Sequence, residues 1–181
     1  MSNFLFCHDI FLMQNKDRWD SHTYERANQA FGEVFHLHAE RMVKVIQLAQ
    51  GVYRRFSEIS PFIEKVTNEV CPSCNDICCI ARHGFYNCED LIYMYALGLV
   101  PPPPDFARKE TDPCQFLSSG GCTLHRAIRP SGCNWYFCEA LFDSMEILPG
   151  YHVFDETLGG VAELWMNMVS EFMNAGILLP D

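Results

Sequence analysis

Residues 21–57 read SHTYERANQAFGEVFHLHAERMVKVIQLAQGVYRRFS. Phe31, Phe35, His38, Met42, Val45, Ala49, Val52 and Phe56 recur at three- and four-residue spacing, which puts them on one face of an α-helix. Charges such as Glu40, Arg41 and Lys44 largely fall elsewhere. Ser21 or Thr23 can cap the start, with Glu25 in the first turn. Unbroken, the helix would be about 55 Å long at roughly 1.5 Å per residue. Gly51 is the expected place for a break or bend. A rod of this length needs a partner along its apolar face. That is a second helix of the chain or another subunit, so a homodimer through the long helix is left open.

Working outward, Ser60-Pro61 reads as a fresh helix start, serine as cap and proline in the first position. Phe62, Ile63, Val66 and Val70 give that helix an apolar side, and it delivers the chain into Cys71. Ile80 to Tyr86 reads as a short connector, a strand or hairpin. Asn87 caps a helix from about Cys88 to Leu97, stopped by Gly98, with Leu91, Ile92, Tyr95 and Leu99 inward. Pro101–Pro104 is an extended spacer crossing the surface. A last helix begins at Asp155 or Thr157 and runs to about Asn174, before Gly176. Its face is Leu158, Val161, Ala162, Leu164, Trp165, Met168, Val169, Phe172 and Met173, expected to pack on the long helix. Residues 1–20 are expected to dock on the domain core. The fold class is therefore mainly α: one domain over 1–181. A helical part, 1–70, and a C-terminal helical part, 139–181, pack around an irregular, loop-rich cysteine core, 71–138.

That core holds nine of the ten cysteines: Cys71, Cys74, Cys78, Cys79, Cys88, Cys114, Cys122, Cys133 and Cys138. Cys71-Pro-Ser-Cys74 has the two-residue spacing that lets a chain reverse around an ion and aim two thiolates at one point. The adjacent pair Cys78-Cys79 points its side chains in different directions, which suits two metals of a cluster, two separate sites, or one metal and one other task. Cys114 and Cys122 flank a turn-rich loop, and Cys133 and Cys138 flank Asn134-Trp-Tyr-Phe137, aromatic enough to shield a cluster. The alternative is a disulfide framework. Against it, a chain of 181 residues with 49% hydrophobic residues can build a core without staples. Met1–Asp9 also carries no basic region ahead of its apolar run, so no secretory signal is expected. Cys7 and Cys88 read as small buried hydrophobes.

Cys71 to Cys79, Cys114-Gln-Phe-Leu, Gly121-Cys122-Thr-Leu-His, Arg129-Pro130-Ser-Gly-Cys133 and Tyr136-Phe-Cys138 resemble the zinc- or iron-chelating CxxCxxCC cysteine-cluster proteins (YkgJ-like). The resemblance covers about residues 70–138. It departs in one place: three residues, Asn75-Asp76-Ile77, precede the cysteine pair where the family has two. The resemblance implies a metal held by Cys71, Cys74, Cys78, Cys79, Cys114, Cys122, Cys133 and Cys138. It implies little about activity, although a flagellin lysine N-methylase carries a related cluster.

A net charge of −10 argues against a nucleic-acid backbone as partner. No apolar run has the length of a membrane span, and the expected compartment is the cytoplasm. Glu33-x2-His36 lacks the second such motif that a di-iron bundle needs and reads as ordinary helix surface. His125 lies between Cys122 and Cys133 and reads as a surface or hydrogen-bonding residue before a ligand. Arg126 and Arg129 can lower the charge cost of a polyanionic cluster or hold an anionic substrate, and Arg129-Pro130 reads first as fixing the loop into Cys133. The cofactor is expected to be zinc or an iron–sulfur cluster such as 4Fe–4S. The adjacent pair and surplus thiols tilt the choice toward iron–sulfur. No catalytic set is identifiable. The leading function is a structural or redox-related metal-binding protein. The alternatives are a cluster-dependent enzyme of methyl or electron transfer, and metal storage or delivery.

Overall fold

A computed structural model describes residues 20–74, 79, 84–109, 111–119 and 121–176. The chain is mainly helical. In order come α1 (Ser21–Leu37), a 3-10 turn (Ala39–Met42), α2 (Val43–Val70) and α3 (Cys88–Ala96). A minimal hairpin of β1 (Leu117–Ser118) and β2 (Gly121–Cys122) follows, then α4 (Gly132–Trp135), α5 (Glu139–Glu146) and α6 (Tyr151–Asn174). No described helix is long and apolar enough to cross a membrane. The chain divides into two compact units. One takes residues up to Gln50, Tyr86–Phe106 and Trp165 onward; the other takes Gly51–Phe85 and Ala107–Leu164.

In the first unit, α1 is capped by Asp20, whose carboxylate accepts from the Thr23 N–H at 2.7 Å. The expected caps, Ser21 and Thr23, fall inside the helix instead, because aspartate one residue earlier reaches the same orphan donors. Tyr24, Ala27, Ala30, Phe31 and Val34 are buried. Phe31 and Phe35 stack on Tyr95 of α3, each with centroids 6.4 Å apart, and both meet Phe172 of α6. The Tyr95 hydroxyl donates to Asn28 Oδ1 at 3.0 Å. α3 is closed at its start by a reciprocal cap between Asn87 and Asp90, as expected. Leu91 and Ile92 are fully buried, whereas Leu99, expected inward, is exposed. It lies beyond Gly98, whose positive φ of 71° turns the chain off the helix axis. The tetraproline follows α1: the Tyr24 hydroxyl donates to the Pro102 carbonyl at 3.4 Å.

The long helix departs from expectation in two places. It breaks at His38 (φ −119°, ψ 31°), not at Gly51. No Gly or Pro marks the site, so tertiary packing overrides propensity there, and the tight turn sets Met42 into the core with no exposure. At Ser60-Pro61 the helix runs on without a restart. Pro61 costs one backbone hydrogen bond, but it is exposed, so the freed carbonyl is on the solvent side. Val52, Phe56, Ile59, Ile63 and Val66 remain in phase across it, and that continuous buried face holds the helix together.

These residues line the second unit. Phe56 meets Trp135 at 5.5 Å, and Phe62 stacks on Phe154 of α6 at 4.9 Å. The last helix packs on the long one as expected: the Leu164 side chain lies over Gly51, and the Arg55 guanidinium over Gly160, where a Cβ would come within 2.6 Å of Nη1. α6 begins at Tyr151 rather than at Asp155 or Thr157, directly after Gly150 with φ 96°, and so brings Phe154 into the core. α5 was not expected as a separate helix. It is short, and its burial signal is only Leu141 and Met145, one turn apart.

Candidate metal centre

Every described cysteine that the sequence proposes as a ligand lies in the second unit. The C-x2-C segment folds as a tight 3-10 turn directly off the end of α2, with the Cys74 N–H donating to the Cys71 carbonyl at 3.1 Å. Cys79 is tied to Cys114 by the backbone: the Cys114 N–H donates to the Cys79 carbonyl at 2.8 Å. Cys122 lies in the hairpin, paired with Leu117, and Gly121 takes the positive φ of 100° that the turn requires. Cys133 is on the four-residue α4, its N–H donating to the Pro130 carbonyl at 2.8 Å. Cys138 is the N-cap residue of α5 and caps with its backbone carbonyl only.

Gly84 shows how close two of the sulfurs come. A Cβ built there would sit 3.2 Å from Cys133 Sγ and 3.8 Å from Cys114 Sγ, with the Pro130 ring at 3.4 Å. The absence of a side chain at 84 therefore opens the space that both sulfurs border. Cys133 is exposed as a residue, yet its sulfur sits under this crowded wall. Burial pushes its thiol up to about 12, and Cys114, Cys122 and Cys79 add to the rise while Arg129 opposes it. Four cysteines from distant stretches of sequence thus share one electrostatic neighbourhood. No disulfide links the described cysteines to one another.

As they stand, no three His, Cys, Asp or Glu side chains among the described residues are arranged to hold a metal ion. A tetrahedral zinc–thiolate site, with Zn–S of about 2.3 Å, needs sulfurs roughly 3.8 Å apart. The donor chemistry of Cys79, Cys114, Cys122 and Cys133 fits a soft metal or a cluster once the sulfurs draw together. Cys71, Cys74 and Cys138 occupy other turns of the same unit. Cys78 and Cys7 lie outside the described residues, as do most of the expected 80–86 connector and residues 1–19. Cys88 is fully buried at the first turn of α3 in the other unit.

The neighbours sort differently from their appearance in sequence. His125 is exposed and its ring stacks on Tyr53 with centroids 6.2 Å apart. The aromatic run after Cys133 is split: Trp135 and Phe137 turn to core partners, while Tyr136 is exposed. Arg129 fixes its loop, as expected, with Nε donating to the Leu124 carbonyl at 2.9 Å and Nη2 4.0 Å from Glu64. Glu33 accepts from Gln29 and His36 is exposed, an ordinary helix surface.

Arg126 was expected near the thiolates, but its burial was not. Its side chain is buried, with the residue only 3% exposed, and Nε has no hydrogen-bond partner among the described residues. Nη1 lies 3.5 Å from Asn134 Oδ1, and the fully buried Asn134 returns its Nδ2 to the Arg126 carbonyl at 3.2 Å. Burial pulls the guanidinium down to about 10; Arg129 adds to the fall, and Glu64, Cys122 and Cys133 oppose it. It stays a cation at neutral pH in both folded and unfolded chains, so its burial is a cost throughout that range. Nothing in the sequence signals this, because an arginine in a polar loop is ordinarily exposed. No protein-family model, no curated protein and no solved structure matches this chain.

Proposed function

We propose that this protein is a metal-binding module, structural or redox-related, in which cysteine thiolates hold a metal ion or iron–sulfur cluster. Cys71, Cys74, Cys78, Cys79, Cys114, Cys122, Cys133 and Cys138 form the donor pool. The single observation that carries the reading is the convergence at Gly84, where the Cys114 and Cys133 sulfurs approach one point within 4 Å and Cys79 is bonded through its carbonyl to Cys114. Convergent thiols without disulfides suit a reducing compartment, the cytoplasm, and the YkgJ-like resemblance points the same way. When bound, an all-thiolate zinc would cross-link the loops, and an iron–sulfur cluster would add electron transfer. The chain's own part is to bring the thiols together, using the Cys71 turn, the hairpin and α4 as supports. The adjacent pair and the surplus of thiols favour the cluster.

Anaerobic purification, elemental analysis and an absorption spectrum test this. Iron with sulfide and broad visible absorbance is the expected result. One or two zinc ions per chain and no colour would keep the module but make it structural. No metal after anaerobic reconstitution with iron and sulfide or with zinc would overturn the reading. Storage or delivery is a second reading, favoured by the exposure of Cys79. Loss of the metal to a chelator within seconds would select it.

A further inference from the structure

The second unit contains a buried cation with no carboxylate partner among the described residues. The Arg126 side chain is buried, its Nε donates to no described atom, and its one side-chain acceptor is a neutral amide at the long distance of 3.5 Å. Among the described residues, the carboxylate that acts on Arg126 is Glu64, which is turned to Arg129 at 4.0 Å and to the Ser60 hydroxyl at 3.2 Å. A buried, unpaired guanidinium is strongly unfavourable, and proteins keep such a group only where an opposite charge meets it. The placement says which charge. Asn134, which clasps Arg126, is the residue next to Cys133, and Cys122 lies one short loop upstream. Cys122 and Cys133 both act electrostatically on Arg126, and each can supply a thiolate.

We infer that Arg126 is the built-in counter-charge of the thiolate centre, seated before the metal arrives, so that the site selects a centre of net negative charge. The inference rests on the metal-binding reading and deepens it. A divalent ion on four thiolates carries two negative charges, as does a 4Fe–4S core in its 2+ state on four thiolates. A guanidinium N–H that meets such a centre would give a charge-assisted hydrogen bond to sulfur. Arg126 is a positioning residue: it touches no reacting atom and acts by making full deprotonation of the thiols tolerable. One consequence separates this role from plain packing. Without metal, Arg126 is a burden on the fold, and replacing it by an apolar side chain of similar length should not weaken the metal-free protein.

The test compares wild type with Arg126→Met and Arg126→Lys, titrating each metal-free protein anaerobically with cobalt(II). It reads the thiolate-to-cobalt charge-transfer absorbance and, separately, the melting temperature without metal. The expected result is cobalt affinity weakened roughly 10- to 100-fold in Arg126→Met. Its metal-free melting temperature should equal or exceed wild type, and Arg126→Lys should bind cobalt more tightly than Arg126→Met because it can retain a positive charge, though not the guanidinium N–H fork. Unchanged cobalt affinity in Arg126→Met overturns the inference and leaves the metal reading standing. A lowered metal-free melting temperature in Arg126→Met also overturns it, whatever its affinity, because the side chain is then packing. Absence of any charge-transfer band in wild type overturns both.

Discussion

The aromatic core of the first unit and the cysteine loops of the second are built on opposite principles. Around Phe31, Tyr95 and Phe172, three helices close on one another through stacked rings, a capped α3 and fully buried Leu91 and Ile92. Between Cys114 and Cys138, regular structure amounts to two-residue strands, a 3-10 turn and a four-residue helix, and the polar Arg126 and Asn134 are buried there. Burial of apolar area is enough to account for the first, at about 25 cal/mol per Å². In the second, the buried residues of the loops include the polar Arg126, Ser131 and Asn134 beside Phe116, Ala127 and Phe137, and the proposed metal would cross-link these loops. What differs is how far the side chains that converge satisfy one another: the Arg126 Nε has no partner among the described residues.

The widest test of this contrast is to remove the proposed cross-link. Cys114→Ser together with Cys133→Ser should abolish metal binding and lower the melting temperature of the metal-loaded protein to that of the metal-free form, as read by elemental analysis and thermal scans. Phe31→Ala should do the reverse. It should cost about 3–5 kcal/mol by denaturant unfolding while leaving metal per folded chain unchanged, since it empties a fully buried ring site in the other unit. Gly84→Ala places a methyl 3.2 Å from Cys133 Sγ, so it should lower metal affinity and cost roughly 1–3 kcal/mol in the loaded protein. Unaltered metal affinity in that variant would separate Gly84 from the site. Asn87→Ala removes the acceptor for the Asp90 N–H and should cost about 1 kcal/mol with no change in metal content.

The smallest effect is alkaline. Burial raises Tyr24 to about 12, from an ordinary 10. Its native pKa is above its unfolded one, so its contribution is complete below pH 10 and is lost as pH rises through 12. Tyrosinate absorbance that appears near pH 10, before any unfolding, for every tyrosine would contradict this.

The helices were legible because a repeated spacing of three and four leaves little choice of face. Phe31, Met42, Val45, Ala49, Val52 and Phe56 are all buried as that spacing requires. Their joints were not. A break at His38 and an unbroken passage through Pro61 are decided by which core each segment reaches, and local propensity points the wrong way at both. The gathering of Cys79, Cys114, Cys122 and Cys133 was legible only as a shared chemistry, because spacing between distant loops does not encode distance. Arg126 and Asn134 were least legible: each is a polar residue in a turn-rich stretch, and only the folded chain turns them inward.

The order in which the segments are used has a consequence for biosynthesis. The chain passes from one unit to the other after Gln50, after Phe85, after Phe106 and after Leu164. A ribosome releasing it from the N-terminus therefore cannot finish either unit early. The first awaits Trp165 onward, and the second awaits the residues up to Leu164. Its thiols accordingly emerge before the rest of their unit, up to Leu164, has been made.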